Sequence, residues 1–191
     1  SEYIEGFPPL RRLKWTGSLE DTEESKLVYA QFGLEQTEAM RRLGYDGIFP
    51  YMYAMWTKRY NRPMWKPEFP TPMYAALKSA LAPVAISIDL FNRNFEAGEK
   101  ISIPVYFINE TPLYQLVKVS YYITSSNPEF LGAPEVFKNP VFKKHRQYRI
   151  GPYSIEKKSF VYSLPEKEGK YYLSAILKTK DGKKVISQRI V

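Results

Sequence analysis

The chain has 191 residues, 44% of them hydrophobic, which is enough for one large domain or two small domains with buried cores. It has no cysteine and a single histidine, His145, which excludes disulfides and thiol catalysis and argues against a zinc site. Its 28 basic and 20 acidic residues give a net charge of +8. The excess lysine collects among predicted strands and in the turn from Lys178 to Lys184. Lysine commonly protects exposed strand edges and hairpin tips, so we prefer that explanation to a nucleic-acid partner.

The first predicted helix follows an acidic cluster at residues 20–24. Asp21 and Glu24 have the spacing of a capping box, and the acidic side chains suit the positive end of a helix. Leu27, Ala30 and Leu34 begin a broad apolar stripe, and Gly44 is typical of a helix C-terminus. We therefore predict a helix of roughly 20 residues that ends just before Gly44.

Residues 1–9, which close with two prolines, are predicted to be the end of a first strand. A second predicted strand covers Ile48 to Trp56, a nearly uninterrupted apolar and aromatic run that is typical of a strand buried on both faces. Asp46 before it is a turn former. Four prolines between residues 61 and 72 predict a stiff extended connection. Thr71 and Pro72 then favour the start of a short helix that stops at Pro83.

From Val84 onward the apolar period changes to two, which indicates antiparallel strands with one buried face. Asp181-Gly182 is a strong hairpin signal between the last two strands. Six or seven short strands in about a hundred residues are typical of an immunoglobulin-like sandwich. In chain order the predicted strands are Val84–Leu90, Ile101–Phe107, Leu116–Thr124, a short edge strand at Val141–Arg149, Ser159–Leu164, Tyr171–Lys178 and Lys184–Val191.

Few residues are candidates for chemistry, and each has a structural alternative. Glu2 lies at a possible strand end, a position from which carboxylates of barrel enzymes flank a scissile glycosidic bond. Four aromatic residues could stack on a sugar ring, although composition alone favours a place in the core; they are Tyr51, Tyr53, Trp56 and Trp65. His145 has no evident partner and is interpreted as a surface residue. We predict no metal site and no cofactor.

Several segments together resemble the end of the catalytic barrel of glycoside hydrolase family 2, which includes β-galactosidases, β-glucuronidases and β-mannosidases. They are Ser1-Glu2-Tyr3, the long helix, and the run from Tyr45 to Trp56. The run from Ala76 to Pro83, followed by the run from Ile88 to Phe95, resembles the passage into a C-terminal sandwich in large members of that family. The resemblance implies that Glu2 is the nucleophile and that Trp56 lines the sugar subsite.

The fold expected from this resemblance is α+β overall, with a partial (β/α)8-barrel segment followed by an immunoglobulin-like antiparallel β-sandwich. Residues 1–59 would hold the last two strands of the catalytic TIM barrel and the helix between them. Residues 60–83 would form a proline-rich linker and short helix. Residues 84–191 would form the sandwich.

The function implied is that of the C-terminal portion of a retaining β-glycosidase acting on a β-linked oligosaccharide or polysaccharide. A retaining mechanism needs two carboxyl groups about 5 Å apart, and the acid/base glutamate of the family has no counterpart here. We therefore expect this chain alone to be inactive. The alternative is a non-catalytic β-sandwich module for carbohydrate binding or domain support.

The resemblance also guides what we expect of partners and location. A truncated barrel leaves apolar surface along residues 27–56, which favours self-association through that segment. No apolar run reaches about 18 residues, so we predict no membrane span. A periplasmic or extracellular location is favoured if the parent enzyme degrades polysaccharide.

Overall fold

The computed structural model describes residues 23–45, 47–48, 72–126 and 139–191. The chain divides into two compact units, Ser1–Lys78 and Ser79–Val191. Of the expected barrel segment, only the helix is described. The predicted strands at the start of the chain and from Ile48 to Trp56 lie outside the described residues, apart from Ile48 itself, and so does most of the proline-rich connection.

Helix α1 runs from Glu23 to Arg42, as the sequence predicts. Gly44 has a φ of 74°, the left-handed conformation that favours glycine. The Gly44 amide donates to the Arg41 carbonyl at 3.1 Å, and the Tyr45 amide donates to the Met40 carbonyl at 3.3 Å. These two bonds form a Schellman motif, so Gly44 ends the helix by satisfying its last carbonyl groups.

The buried face of α1 is more polar than its sequence pattern suggests. Ala30 and Leu34 are fully buried, in agreement with the predicted apolar stripe. Leu43, although apolar, is 75% exposed because it lies past the last helical residue. Further buried positions on the helix are occupied by Gln31, Thr37, Glu38 and Arg41.

Helix α2 covers Pro72–Ala80 and is followed at once by the first strand of the second unit. Proline at its first position matches the prediction, because that position needs no backbone donor. In its last turn the Ser79 hydroxyl accepts a hydrogen bond from the Ile186 amide at 2.7 Å and lies 2.9 Å from the Ile186 carbonyl, to which it donates. Ser79, the first residue of the second unit, is therefore bonded to the last described strand.

The second unit is a β-sandwich of two antiparallel sheets. The first sheet has three strands in the order β1-β2-β5, and the second has four in the order β4-β3-β6-β7. The strands are β1 Val84–Ile88, β2 Lys100–Asn109, β3 Gln115–Thr124, β4 Phe142–Ile150, β5 Ser154–Ser163, β6 Tyr172–Lys178 and β7 Lys184–Ile190. The antiparallel sandwich expected from the period-two pattern is thus present.

The core lies between the two sheets and is built from alternate residues of each strand. Tyr121 of β3 stacks on Phe160 of β5 with ring centroids 3.6 Å apart, and the Tyr121 hydroxyl lies 3.0 Å from that of Tyr148. Burial raises the pKa of the Tyr121 hydroxyl well above its usual range. Other buried core residues include Ile86, Ile103, Val105, Phe107, Val119, Leu173, Ala175 and Leu177.

The two lateral sides of the sandwich differ in how the edge strands of the two sheets meet. At one side, the Ile88 amide of β1 donates to the Ser187 hydroxyl of β7 at 2.8 Å, and every residue of β1 is buried. At the other side, β4 and β5 are the edge strands of their sheets. β5 begins at Ser154, five residues before the predicted Ser159, because its first half is polar and gives no apolar alternation.

The hairpin between β6 and β7 forms where Asp181-Gly182 predicts it. Gly182 has a φ of 87°, and the Thr179 amide donates to the Lys183 carbonyl at 3.0 Å. The Thr179 hydroxyl donates to the Asp181 carboxylate, which also pairs with Lys183 at 3.0 Å. Among the described residues, no helix is long and apolar enough to cross a membrane.

Candidate functional site

The residues that the sequence singles out for chemistry lie outside the part of the chain that the structure describes. They are Glu2, Tyr51, Tyr53, Trp56 and Trp65, together with the turn former Asp46. Their roles therefore stay predictions. Within the described ranges, no group of three or more histidine, aspartate and glutamate residues is arranged to hold a metal ion.

The described surface carries a cluster of exposed apolar residues at one end of the sandwich. It lies on the loop between β2 and β3, on the turn between β4 and β5, and on the adjoining ends of β3 and β4, where Arg149 adds a cation. Tyr114 is 62% exposed and Tyr153 is 73% exposed. We call this the loop-end surface, and we define it as Leu113, Tyr114, Leu116, Arg149 and Tyr153.

A buried asparagine fixes the two parts of the loop-end surface. Asn109, at the end of β2, is 1% exposed. Its side-chain amide donates to the Leu113 carbonyl at 2.8 Å and to the Gly151 carbonyl at 2.6 Å. Its side-chain oxygen accepts from the Thr111 amide at 3.0 Å and from the Thr111 hydroxyl at 2.7 Å. All the hydrogen-bonding capacity of this side-chain amide nitrogen is used, so both loops are held in place.

The turn between β4 and β5 has a second anchor at Gly151. The Gly151 amide donates to the Glu156 carboxylate at 2.8 Å, and the Ser154 hydroxyl donates to the Gly151 carbonyl at 2.7 Å. Glu156 also pairs with Lys158 at 3.1 Å. The Gly151 amide, and then Lys158, hold the pKa of the Glu156 carboxyl below its usual range.

Tyr153 has a strained backbone within this rigid turn. Its φ is 44°, in the left-handed region that a tyrosine rarely adopts. Its amide donates to the Thr111 carbonyl at 3.1 Å, which ties the turn to the β2–β3 loop. Strained backbone of this kind persists only where the surroundings fix it, and it is found preferentially at functional sites. The strain here presents the Tyr153 ring to solvent.

The Tyr114 ring is oriented by a cation. The Arg149 guanidinium lies over this ring, 4.3 Å from its centroid. Arg149 is directly opposite Leu116 in the pairing of β3 with β4, so both lie on the outer face of the four-stranded sheet. The loop-end surface thus continues from the loops onto that face.

The outer face of the four-stranded sheet carries two rows of opposed residues with contrasting environments. The first, the lysine row, consists of Lys118, Lys178 and Lys184, which lie directly opposite one another on β3, β6 and β7 and are exposed. The second, the buried row, consists of Tyr122, Ser174 and Gln188 on the same three strands.

The only histidine of the chain lies on this face between the two rows. His145 is exposed, as predicted, but the expectation that it lacks a partner is wrong. Its Nδ1 lies 2.8 Å from the Ser120 hydroxyl, because the two residues are opposite in the β3–β4 pairing. None of the residues in the four described strands of this sheet is acidic, so no carboxylate of the sheet orients the imidazole as a triad requires.

A small open cleft of about 180 Å³ lies at the other end of the strands, beside Arg93, Phe95 and Tyr171. Two of its polar side chains already have backbone partners. Arg93 donates to the Ile190 carbonyl at 3.3 Å, and the Tyr171 hydroxyl donates to the Lys167 carbonyl at 2.8 Å. The cleft is also smaller than typical ligand pockets of roughly 300 Å³ or more. We therefore regard it as structural.

Sequence reasoning missed the loop-end surface entirely. Tyr114 and Tyr153 were hidden among the 16 tyrosines of the chain. The available signal was their position in short polar and proline-containing connections, Glu110 to Tyr114 and Gly151 to Ser154, where an aromatic ring has no strand face to bury it.

Comparisons with known proteins give weak likenesses. No protein-family model matches the chain, and no curated protein matches it. Among solved structures, red sea bream transglutaminase is similar with a TM-score of 0.42 and 9% identity, over 68% of this chain and 21% of that chain. Spo0M, a sporulation control protein from Bacillus subtilis, is similar with a TM-score of 0.36 and 11% identity, over 58% of this chain and 49% of that chain.

A third solved structure is a cycloisomaltooligosaccharide glucanotransferase from Paenibacillus sp., complexed with cycloisomaltoheptaose. Its TM-score is 0.38 and its identity is 13%, over 55% of this chain and 12% of that chain. One of these distant neighbours is thus an enzyme that acts on a glycan. This chain spans less than half the length of each of the three. At these values the comparisons identify no family.

Proposed function

We propose that the sandwich of this chain is a carbohydrate-binding module that belongs to a retaining β-glycosidase, with the loop-end surface as its glycan site. The observation that carries this proposal is the pair of exposed tyrosines on loops that Asn109 locks together. The alternative for the same sandwich, mechanical support of a partner domain, uses the same surface as a docking face.

Rigid exposed tyrosines are suited to sugars for two reasons. The C–H faces of a pyranose ring are apolar and pack on an aromatic ring, while its hydroxyl groups need hydrogen-bond partners beside that ring. Tyrosine supplies both at a low entropy cost, since only two side-chain torsions must be fixed. Because the Asn109 network already orders both loops, binding loses little further conformational entropy.

The nature of the parent rests on the sequence. The segments from Ser1 to Trp56 that resemble glycoside hydrolase family 2 support a retaining β-glycosidase, in which Glu2 would form the glycosyl-enzyme intermediate. Trp56 would stack on the sugar, with Tyr51, Tyr53 and Trp65 beside it. The expected partial barrel is part of this proposal.

The strand order supports an immunoglobulin-like assignment of the sandwich. Strands β1, β2 and β5 correspond to A, B and E, and β3, β6 and β7 correspond to C, F and G. β4 pairs beside β3 as an additional edge strand of the second sheet. This assignment fits an accessory domain that follows a catalytic domain.

Titration calorimetry of the full chain with a panel of β-linked oligosaccharides tests the binding site. Tyr153→Gly removes the ring and relieves the positive φ, so it should lower affinity roughly tenfold without loss of stability. Tyr114→Ala should lower affinity by a similar factor. Phe91→Ala is the control, because Phe91 is 100% exposed but lies on another loop. Unchanged affinity in both tyrosine variants would contradict the site.

The parent activity has a separate test. An open reading frame upstream of the codon for Ser1 that encodes an Asn-Glu pair at a strand end would support the glycosidase assignment. The purified chain should not hydrolyse aryl β-glycosides, since the second carboxylate is missing. Appreciable hydrolysis that is abolished by Glu2→Gln would show that the chain is itself a complete enzyme.

A further inference from the structure

We infer that the glycan bound by this module is an acidic polysaccharide, and that the lysine row binds its carboxylate or sulfate groups. The inference rests on the proposed function, because it names the chemical class of ligand for the same surface. It is carried by the charge and the geometry of the outer face of the four-stranded sheet.

The lysine row is a regular array of cations. Lys118 is opposite Lys178, and Lys178 is opposite Lys184. Since neighbouring strands are about 4.8 Å apart, three ammonium groups are anchored along a line of about 10 Å. All three side chains are exposed, and none has a carboxylate partner in the described part of the chain. An array of this kind matches a ligand that carries repeated negative charges.

The row adjoins the loop-end surface. Leu116 and Lys118 are two residues apart on β3 and point to the same face, as do their partners Arg149 and Gln147 on β4. A polysaccharide chain that stacks on Tyr114 can therefore continue over Arg149 and along the lysine row. The aromatic and the cationic contacts belong to one continuous surface.

The arrangement opposes folding, so it requires another explanation. Like charges directly opposite one another on neighbouring strands destabilise a sheet. Protection of strand edges and hairpin tips, which we predicted for the excess lysine, explains the basic residues of β4 and the two lysines beside the β6–β7 hairpin, Lys178 and Lys184, but not Lys118 on the inner strand β3. No residue of the four described strands is acidic, so the repulsion is not compensated within the sheet. A bound polyanion would compensate it.

Nucleic acid fits this surface less well than an acidic polysaccharide. A flat sheet face does not enter a groove of duplex DNA. Binding of single strands relies on free aromatic rings that stack with bases. The lysine row itself offers no such ring among the described residues of its strands, because Tyr122, four positions from Lys118 on β3, is buried.

The test compares ligands of different charge on the full chain by titration calorimetry at several salt concentrations. The ligands are alginate and hyaluronate as acidic polysaccharides, laminarin as a neutral β-glucan, a DNA duplex, and vesicles that contain phosphatidylserine. The test variant is Lys118→Gln with Lys178→Gln. The control variant, Lys100→Gln with Lys157→Gln, makes the same change in net charge on exposed residues of the other sheet.

We expect an acidic polysaccharide to bind more tightly than laminarin, with an affinity that falls as salt rises. The test variant should lose about fivefold in affinity for each lysine, and the control variant should lose much less. The Tyr153→Gly variant should also bind the acidic polysaccharide less tightly.

Several results would overturn the inference. If laminarin binds as tightly as the acidic polysaccharides and the test variant is unaffected, the lysine row does not bind the glycan. The proposed function then stands without the inference. If both variants lose equal affinity, only net charge matters. If no glycan binds, the proposed function fails with the inference, and binding of DNA or of the vesicles would then show which other polyanion the row serves.

Discussion

The lysine row and the buried row lie on the same three strands and on the same face of one sheet, yet their environments are opposite. The two rows are four residues apart, or about 13 Å along each strand. Over that distance the side chains change from exposed lysines to Ser174 and Gln188, which are 0% and 1% exposed. The alternation of a strand therefore determines which face a residue occupies, but not whether that part of the face is covered.

The comparison also separates two uses of polar residues. In the buried row, the Ser174 hydroxyl has no hydrogen-bond partner among the described residues, so burial there costs free energy. At the loop end, the buried Asn109 is bonded through both of its side-chain atoms. The buried row therefore tolerates a polar side chain, whereas the structure of the loop end depends on the hydrogen bonds of Asn109.

The largest loss of stability is expected when a lysine is placed in the buried row, because this substitution removes the difference between the two rows. Ser174→Lys should lower the free energy of unfolding by about 3 kcal/mol or more, because a charge would be buried without a partner. Gln147→Lys is the control, since it adds the same charge at the exposed end of the lysine row. Urea unfolding of both variants checks this, and equal midpoints would show that the buried row is open to solvent.

The second-largest loss of stability is expected at the loop end. Asn109→Ala should lower the free energy of unfolding by about 2 kcal/mol, since the Leu113 and Gly151 carbonyls lose their donor. Asn92→Ala removes a similar local pair of bonds to Asn94, but at an exposed site, and should cost less than about 0.5 kcal/mol. Thermal unfolding of the two variants would refute the role of Asn109 if their melting temperatures fell equally.

Glu156 makes the stability of the loop end depend on pH. Its pKa in the folded protein is lowered, first by the Gly151 amide, so its contribution is complete above the unfolded pKa of about 4.3. The contribution is lost as pH falls through the folded pKa. Glu156→Gln should cost about 1 kcal/mol at pH 7 and almost nothing once the pH has fallen below the folded pKa. Urea unfolding at pH 7 and across the acidic range checks this, and a pH-independent difference would contradict it.

The smallest expected effect concerns repulsion within the lysine row. Lys178→Gln should raise the free energy of unfolding by a few tenths of a kcal/mol, because Lys178 has a lysine on each side. The gain should disappear in high salt, which screens exposed charges. Lys170→Gln, at an exposed position outside the strands, should show no comparable gain. Urea unfolding at low and high salt measures both.

Several elements could be predicted from sequence because their causes are local. The capping spacing before α1 and Gly44 after it place that helix, and Asp181-Gly182 places the last hairpin. The full extent of β5 could not be predicted, because residues 154 to 158 lie in an edge strand without apolar alternation. Its pairing with β2, a strand about 50 residues earlier, is decided by tertiary contacts.

The candidate site was less predictable than the fold. Sequence patterns single out Glu2 and the aromatic run that ends at Trp56, which stay predictions. They do not single out Tyr114 or Tyr153, because residue type alone does not separate these exposed tyrosines from the buried Tyr121 and Tyr162. The one local signal is the position of Tyr114 and Tyr153 in short proline-containing connections. The Asn109 network likewise joins residues that are 42 positions apart.

The sequence by itself determined the change from helical to period-two pattern near Val84, the ends of the helices and the tight hairpin turn, because each depends on neighbouring residues. Only the tertiary structure decided that three lysines from three strands form one row and that two loops meet at Asn109. The physical reason is that strand register and sheet order bring together residues that are far apart in the chain, and no local pattern encodes which strands become neighbours.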